Sequence, residues 1–174
     1  MINVKKIPVL DADIYSHEAL SPNQDATRQV IHRYGKKVFK EINGIRQINR
    51  FALGEIIFSC KSEKYWLEKL LHPIINKKMA EEINKYINMP TIAMIIPLLY
   101  EANLTSLCNE TWIVYCTLSQ QYERLTLRSK LTFDQAKARI KSQLSLEEKK
   151  HLADQIIDNS KEFGVCFKQI DALL

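Results

Sequence analysis

Two carboxylates close the first apolar run of the chain. Ile7-Pro8-Val9-Leu10 is followed at once by Asp11-Ala12-Asp13. Such a run is typical of a buried parallel strand, and open α/β sheets bind ligands at the carboxyl ends of their strands. Because side chains alternate along a strand, we expect Asp11 and Asp13 on the same side of it. A carboxylate there could orient or deprotonate a substrate hydroxyl beside phosphate and Mg²⁺; the alternative is a turn or helix-capping aspartate.

Two further positions combine a reactive side chain with a chain break. His72 precedes Pro73 between helical segments, so it either marks an ordinary helix break or points an imidazole at a ligand phosphate. Glu101 follows a long apolar run. It is either a turn residue or, at the edge of a sheet, a group that holds substrate or a metal-bound water.

Arg124, Arg128 and Arg139 surround a short helical segment rich in cations. Guanidinium groups bind phosphate in bidentate geometry and stabilise the negative charge of a phosphoryl group in transfer. The segment is therefore either a lid that closes on phosphates or a solvated basic face.

A parallel sheet with helical connections would bring these groups together. The predicted strands cover residues 7–11, 91–99, 111–116 and 155–158. Strands separated by helices predict a parallel α/β fold. Residues 49–89, between the first two strands, are too many for a simple crossover and predict an inserted subdomain of three helices.

The remaining boundaries are predicted from capping residues and glycines. Ser21-Pro22 predicts a helix start, Gly35 a helix end and Asn43-Gly44 a turn. The expected caps of later helices are Asn49, Ser62, Ser119, Thr132 with Gln135, and Ser145 with Glu148, and His72-Pro73 is expected to end one helix and begin another. The last helix is expected over residues 161–174.

The composition narrows the class of protein. The 174 residues are 46% hydrophobic and carry a net charge of +5, which predicts one globular domain with anionic partners. A nucleic-acid binder is disfavoured because the cations are scattered and not interleaved with aromatic residues. Four widely spaced cysteines favour reduced thiols over disulfides or zinc. The N-terminal region lacks the apolar segment of a signal peptide, and the longest apolar run, 92–99, is too short to span a bilayer.

Glycine is scarce, with four residues in the whole sequence. None of them forms part of a G-x-x-x-x-G-K-[ST] or G-x-G-x-x-G motif. These 174 residues therefore contain no phosphate-cradling loop of either common type.

Seven short motifs, taken in order along nearly the whole chain, resemble the dephospho-coenzyme A kinase family. They are Val9-Leu10-Asp11-Ala12-Asp13, Arg50-x-x-Leu53-x-x-Ile56-Ile57-Phe58, Leu71-His72-Pro73, Ile96-Pro97-Leu98-Leu99-Tyr100-Glu101, Gln121-x-x-Arg124-Leu125-x-x-Arg128, Ala138-Arg139-Ile140-x-x-Gln143 and Ala153-Asp154-x-Ile156-Ile157-Asp158-Asn159. Each motif alone is weak, and their shared order makes the resemblance specific.

The resemblance implies a fold and an activity. Family members transfer the γ-phosphate of ATP, with Mg²⁺, to the ribose 3′-hydroxyl of dephospho-coenzyme A in the last step of coenzyme A biosynthesis. They have a parallel α/β core of the P-loop NTPase type, a helical substrate subdomain and a small helical lid. Carried over, the core would take residues 1–20, 91–123 and 150–174, the helical subdomain 21–90 and the lid 124–149.

The resemblance also implies roles for single residues. Asp13 would be the base that orients the ribose hydroxyl. Asp11, Arg50, His72 and Glu101 would lie on the substrate side, and Arg128 and Arg139 would face the phosphates of ATP from the lid. Asn159 would begin the loop near adenine, and no metal ligand is expected within this chain.

The sequence departs from the family at its start. Family members have a core strand and a G-x-x-x-x-G-K-[ST] loop upstream of the Asp-Ala-Asp, and the printed sequence contains neither, so we expect it to start late or to come from a gene copy that lost its start. The alternative function is a coenzyme A-binding remnant without ATP turnover. The resemblance is closest to the photosynthetic-bacterial or plastid branch, which implies the cytoplasm, or the plastid stroma if the gene is in an organelle.

Overall fold

A computed structural model describes residues 7–174 of the chain, except the Phe163 side chain. These residues form two compact units, the first ending at Pro97 and the second beginning at Leu98. The division into core, helical subdomain and lid stays a prediction.

The first unit combines a parallel strand pair, a hairpin and four helices. Its elements are β1 (Val9–Asp11), α1 (Ala12–Ala19), α2 (Asp25–Tyr34), β2 (Phe39–Ile42), β3 (Ile45–Ile48), α3 (Arg50–Ser59), α4 (Lys61–Lys85) and β4 (Ala93–Ile95). The second unit contains β5 (Trp112–Tyr115), α5 (Leu118–Ser129), α6 (Phe133–Lys141), α7 (Leu146–Leu152), β6 (Gln155–Asp158) and α8 (Phe163–Leu173).

Two parallel strand pairs confirm the α/β class. In the first unit β1 pairs with β4, with Asp11 opposite Ile95 at the carboxyl end; in the second unit β5 pairs with β6. The strand expected over residues 91–99 is shorter than predicted. It ends before Pro97, which has no N–H for a ladder, and the chain turns from residue 97 onwards.

The Asn43-Gly44 turn is confirmed, and it joins a hairpin that the sequence did not predict. Asn43 has φ 51° and Gly44 φ 74°, the left-handed pair of a two-residue hairpin turn. β2 and β3 pair antiparallel on either side. Most of their side chains are exposed, so they lack the apolar alternation that identifies a half-buried strand.

The predicted strand geometry of Asp11 and Asp13 is wrong. β1 ends at Asp11, whose carboxylate caps α1: the Asp13 N–H donates to Asp11 Oδ1 at 2.9 Å. Asp13 therefore stands in the first turn of a helix, where the alternation of a strand does not apply. The helix-capping alternative for Asp11 is the one that the structure bears out.

Helix caps formed by a reciprocal local pattern were predicted correctly. Thr132 with Gln135 and Ser145 with Glu148 form capping boxes, and Asn49 caps α3. Caps predicted from one serine alone were wrong. The residues that precede the helices are Gln24, Cys60 and Thr117 in place of Ser21, Ser62 and Ser119.

The helix break expected at His72-Pro73 is also wrong, because α4 runs through it for 25 residues. Proline inside a helix costs about 3 kcal/mol, since it removes one hydrogen bond and crowds the preceding turn. Leu67 and Leu71 before it and Met79 after it are buried, each contributing about 1.5–3 kcal/mol. Packing on both sides of Pro73 therefore outweighs the local break.

The core of the first unit joins its four helices. Its buried side chains are Ala19, Leu20, Ala26, Val30, Val38, Leu53, Leu67 and Leu71. The same packing fixes α4 against α1 and α3, which carry the candidate residues of this unit.

A hydrogen-bonded cluster ties α2 to α4 at the surface of this core. Arg33 donates to both oxygens of Glu63, at 2.7 and 3.0 Å, and Tyr34 Oη donates to Glu63 Oε2 at 2.6 Å. The Arg33 guanidinium also lies 4.5 Å from the centre of the Trp66 ring. The donors from Arg33 and Tyr34 lower the pKa of Glu63 to about 2.

Replacing Pro73 with alanine should stabilise the protein. Pro73→Ala restores the helix hydrogen bond at an exposed position, so we expect the free energy of unfolding in urea to rise by about 1–3 kcal/mol. Lys77→Ala, exposed on the same helix, is the control and should change it by less than about 0.5 kcal/mol. An unchanged or lower stability of Pro73→Ala would contradict this account of α4.

Glu63 should make the stability depend on pH in the acid range. Because its pKa falls from 4.5 to about 2 on folding, its contribution is present above pH 4.5 and is lost as the pH falls through about 2. Thermal unfolding should show Glu63→Gln less stable than wild type at neutral pH, with the gap closing as the pH falls through that window. The exposed Glu81→Gln, also on α4, should show no such gap, and a gap for Glu63→Gln that stays constant with pH would refute the assignment.

Candidate active site

Asp13 and Arg50 lie near the two ends of the same short helix. Asp13 is exposed in the first turn of α1, and Arg50 Nη2 donates to the carbonyl of His17 in its last turn at 3.1 Å. Asp13 precedes His17 by one turn, about 6 Å along the axis. The structure thus brings the Arg50 guanidinium within reach of the helix that begins at the Asp11 cap.

Arg50 keeps donors for a ligand. Burial of its guanidinium lowers the pKa of Arg50, although a guanidinium stays charged in proteins. Of its five N–H donors, one binds the His17 carbonyl. Asn49 caps α3 immediately before Arg50, which fixes the backbone from which this side chain extends.

His72 is half-buried on α4, one residue before Pro73. Its imidazole makes no hydrogen bond or ion pair with the other residues that the structure describes. That His72 forms one site with Asp13 and Arg50 therefore stays a prediction.

In the second unit Glu101 is held by two donors. Lys149 Nζ lies 2.9 Å from Glu101 Oε1, and the Leu144 N–H donates to the same oxygen at 2.9 Å. Lys149 is 4% exposed, which makes this a buried ion pair. Glu101 Oε2 is also buried and has no hydrogen-bond partner within residues 7–174.

Arg128 and Arg139 belong to consecutive helices, α5 and α6, that pack together. Arg128 is exposed and Arg139 half-buried. Burial lowers the pKa of Arg139, and so does the charge of Arg128 nearby. The structure therefore brings together the two arginines that the sequence assigned to a lid, and their repulsion would fall on binding an anion.

Asn159 begins the loop after β6, and its backbone is engaged on both sides. The Asn159 N–H donates to the Tyr115 carbonyl at 2.7 Å, and the Asn159 carbonyl accepts from Arg124 Nη2 at 2.9 Å. The Asn159 side-chain amide makes no hydrogen bond within the described part of the chain. It is therefore the polar group that this residue can offer to a ligand.

The next residue of the loop is fixed in the same way. Ser160 N–H donates to Asp158 Oδ1 at 2.9 Å, and Gln120 Nε2 donates to the Ser160 carbonyl at 2.7 Å. Hydrogen bonds from the Ser160 hydroxyl and N–H lower the pKa of Asp158. Gln169 from α8 binds both the N–H and the carbonyl of Asp158. The backbone of the loop is thus held by side chains of α5 and α8.

Sequence reasoning missed Lys149 and Gln120. Lys149 stands in the run Glu147-Glu148-Lys149-Lys150, which is typical of a solvated helix surface, and its partner Glu101 is far away in the chain. Gln120 takes part in the capping box of α5 with Thr117, a spacing that can be read locally, but its contact with Ser160 cannot.

Within residues 7–174 the structure contains no group of three or more His, Cys, Asp or Glu side chains that could hold a metal ion. The described helices likewise include none long and apolar enough to cross a membrane.

Arginines on consecutive packed helices of an α/β protein are consistent with an enzyme that transfers phosphoryl groups. A family model described as dephospho-CoA kinase matches residues 1–164. The chain belongs to the dephospho-CoA kinase family, a family of transferases, which confirms the recognition made from its motifs.

Curated relatives agree along almost the whole chain. A dephospho-CoA kinase of Prochlorococcus marinus is 51% identical over 173 residues, which cover 99% of this chain and 82% of that protein. A dephospho-CoA kinase of Synechococcus sp. (strain CC9902) is 39% identical over 174 residues, covering 100% of this chain and 86% of that protein.

Solved structures agree with the α/β fold. A dephospho-CoA kinase from Campylobacter jejuni superposes with a TM-score of 0.65 at 28% identity, over 99% of this chain and 87% of that one. The Thermus thermophilus protein TT1252 superposes with a TM-score of 0.77 at 24% identity, over 99% and 85%. The predicted fold class is thereby confirmed.

Loss of the Lys149 charge should cost stability. Lys149→Met leaves the Glu101 carboxylate buried without a countercharge, so we expect the free energy of unfolding to fall by about 3–5 kcal/mol in urea. Lys150→Met removes the neighbouring surface pair with Glu147 and should cost less than about 1 kcal/mol. Equal losses for the two variants would show that the burial of Lys149 has no energetic consequence.

Proposed function

We propose that this chain transfers the γ-phosphate of ATP to the ribose 3′-hydroxyl of dephospho-coenzyme A, giving coenzyme A and ADP. The observation that carries the proposal is the position of Asp13. It is exposed at the start of α1, directly after a parallel strand, and Arg50 contacts the far end of the same helix. The chain belongs to the dephospho-CoA kinase family, and this supports the choice of reaction.

Asp13 is the proposed general base. As the 3′-oxygen attacks the γ-phosphorus, the carboxylate takes the hydroxyl proton, a new O–P bond forms and the bond to the β-phosphate oxygen breaks. Asp11 fixes the position of Asp13 through its cap, and its remaining oxygen can bind the substrate. Arg50 and His72 would hold the phosphates of dephospho-coenzyme A, since Arg50 has donors that bind no other described residue and His72 lies on the adjacent α4.

Arg128 and Arg139 would act on the ATP side. Two guanidinium groups close together stabilise negative charge that spreads over the oxygens of the phosphoryl group in flight. Their mutual repulsion, which contributes to the lowered pKa of Arg139, is relieved when a polyanion binds. Asn159 would offer its side-chain amide to adenine from the loop after β6, while a substrate contact of Glu101 stays a prediction.

Mg²⁺ would enter with ATP. Kinase magnesium is held mainly by phosphate oxygens and water with one or two carboxylates, and it neutralises charge on the phosphates. We also propose that the protein works in the cytoplasm, or in a plastid stroma if its gene is in an organelle.

The role of Asp13 can be tested in the full-length gene product. We expect Asp13→Ala and Asp13→Asn to lower kcat by about 10²–10⁴, because the base acts only in the transition state, with both KM values within about threefold. Glu18→Gln, an exposed carboxylate on the same helix, is the matched control and should keep normal kcat.

Two outcomes would overturn the proposal. Normal kcat in Asp13→Asn would remove the base. A wild-type protein that binds dephospho-coenzyme A in calorimetry without any turnover of ATP would instead be a coenzyme-binding module.

A further inference from the structure

We propose that Glu101 and Lys149 form a buried latch that positions Arg139, so that both are positioning residues for phosphoryl transfer. This inference rests on the proposed function, because it assigns Arg139 to the phosphates of ATP. It differs from a substrate contact of Glu101, since the carboxylate would act through the protein.

The latch has a defined geometry. Glu101 Oε1 accepts hydrogen bonds from Lys149 Nζ and from the Leu144 N–H, each at 2.9 Å. The Glu101 side chain is 18% exposed and that of Lys149 is 5% exposed. Water screens such a pair weakly, so its attraction is stronger than that of the surface pairs of the chain.

The Leu144 contact lies in the connection between α6 and α7. Two residues earlier, the Ser142 N–H donates to the carbonyls of Ala138 and Arg139, and Ser142 Oγ donates to the Arg139 carbonyl at 2.8 Å. Glu101 therefore binds the connection two residues after the turn that ends on the backbone of Arg139.

The far side of the connection is fixed as well. Ser145 and Glu148 form the capping box of α7, and the Lys149 N–H donates to the Ser145 carbonyl at 3.0 Å. Lys149 therefore contacts Glu101 from a helix whose start is fixed by this capping box. The two contacts of Glu101 thus fall on the connection at Leu144 and on α7 at Lys149, so they restrain the segment that follows α6.

Arg139 is the side chain that such a restraint would position. It is half-buried on α6, which packs against α5, the helix of Arg128, and desolvation and the like charge of Arg128 lower its pKa. A helix fixed at its C-terminal end keeps Arg139 in place before the anion arrives. Preorganisation of this kind matters, since a misplacement of about 1 Å can cost about 10²-fold in rate.

The test is a double-mutant cycle of Glu101→Gln and Arg139→Ala in the full-length gene product. Glu101→Gln keeps the shape and an acceptor for Leu144 but loses the attraction to Lys149. We expect kcat/KM for ATP to fall about 10- to 100-fold in Glu101→Gln and about 10²- to 10³-fold in Arg139→Ala. The double variant should match Arg139→Ala alone, because Glu101 acts through Arg139. The KM for dephospho-coenzyme A should stay within about twofold.

A conservative variant and a surface control complete the kinetics. Lys149→Arg keeps the cation and should keep kcat/KM for ATP within about threefold of wild type. Glu147→Gln removes an exposed carboxylate of the same helix α7 and should have no effect. If Glu101→Gln does not fold, Glu101→Gln with Lys149→Met removes both charges together and takes its place in the cycle.

Hydrogen exchange separates the latch from a loss of global stability. In Glu101→Gln, amides of residues 139–149 should be accelerated about tenfold more than those of β5 and β6, because the local restraint is lost in addition to global stability. Equal acceleration throughout the second unit would indicate a merely structural role and overturn the proposal.

The kinetic outcomes distinguish the two levels of inference. Additive losses in the cycle, or a raised KM for dephospho-coenzyme A in Glu101→Gln, would overturn the latch while leaving the role of Arg139 intact. An unchanged kcat/KM in Arg139→Ala would overturn the proposed role of Arg139, and the latch with it.

Discussion

The hydrogen bond from the Asp13 N–H to the Asp11 carboxylate is the contact on which the first unit depends. It turns the chain from strand to helix within one residue, so that α1 begins where β1 ends. This change of direction places α1, which packs against α4 and whose last turn accepts a hydrogen bond from Arg50. A longer connection would have separated the proposed base from the parallel pair that orients it.

The second unit achieves order by a different means. Its candidate ligand groups, Arg128, Arg139 and Asn159, extend from helices and from a loop whose backbone polar groups are bound by other parts of the unit. Gln120 and Arg124 bind two successive carbonyls of that loop, and Glu101 binds the connection after α6. The backbone near these candidate ligand groups is thus held by hydrogen bonds within the protein, which a bound ligand would not need to replace.

The sequence predicts those features whose cause lies within a few residues. The capping boxes at Thr132 and Ser145, the end of α2 at Gly35 and the strand at Gln155–Asp158 each follow from neighbouring side chains. Pro73 shows the limit of such local prediction. Local chemistry favours a helix break there, but packing on both sides of it keeps the helix continuous. The Glu101–Lys149 pair could not be predicted for the same reason: the two residues are far apart in the chain, and Lys149 stands in a charged run typical of a helix surface. The motifs were enough to identify the candidate site residues, but the contacts that these residues make could be seen only in the structure.

The capping boxes of α5, α6 and α7 have a consequence for the order in which the second unit folds. All three helices start from reciprocal bonds between residues three apart, which form without any distant contact. The strand pair instead requires Thr111 to meet Asp154, 43 residues later, and so closes a loop at an entropic cost. We therefore expect α5, α6 and α7 to be present as fluctuating structure in the unfolded chain, with the pairing of β5 and β6 as the slow step. Arg128 and Arg139 would then stand on helices that form before β5 and β6 pair.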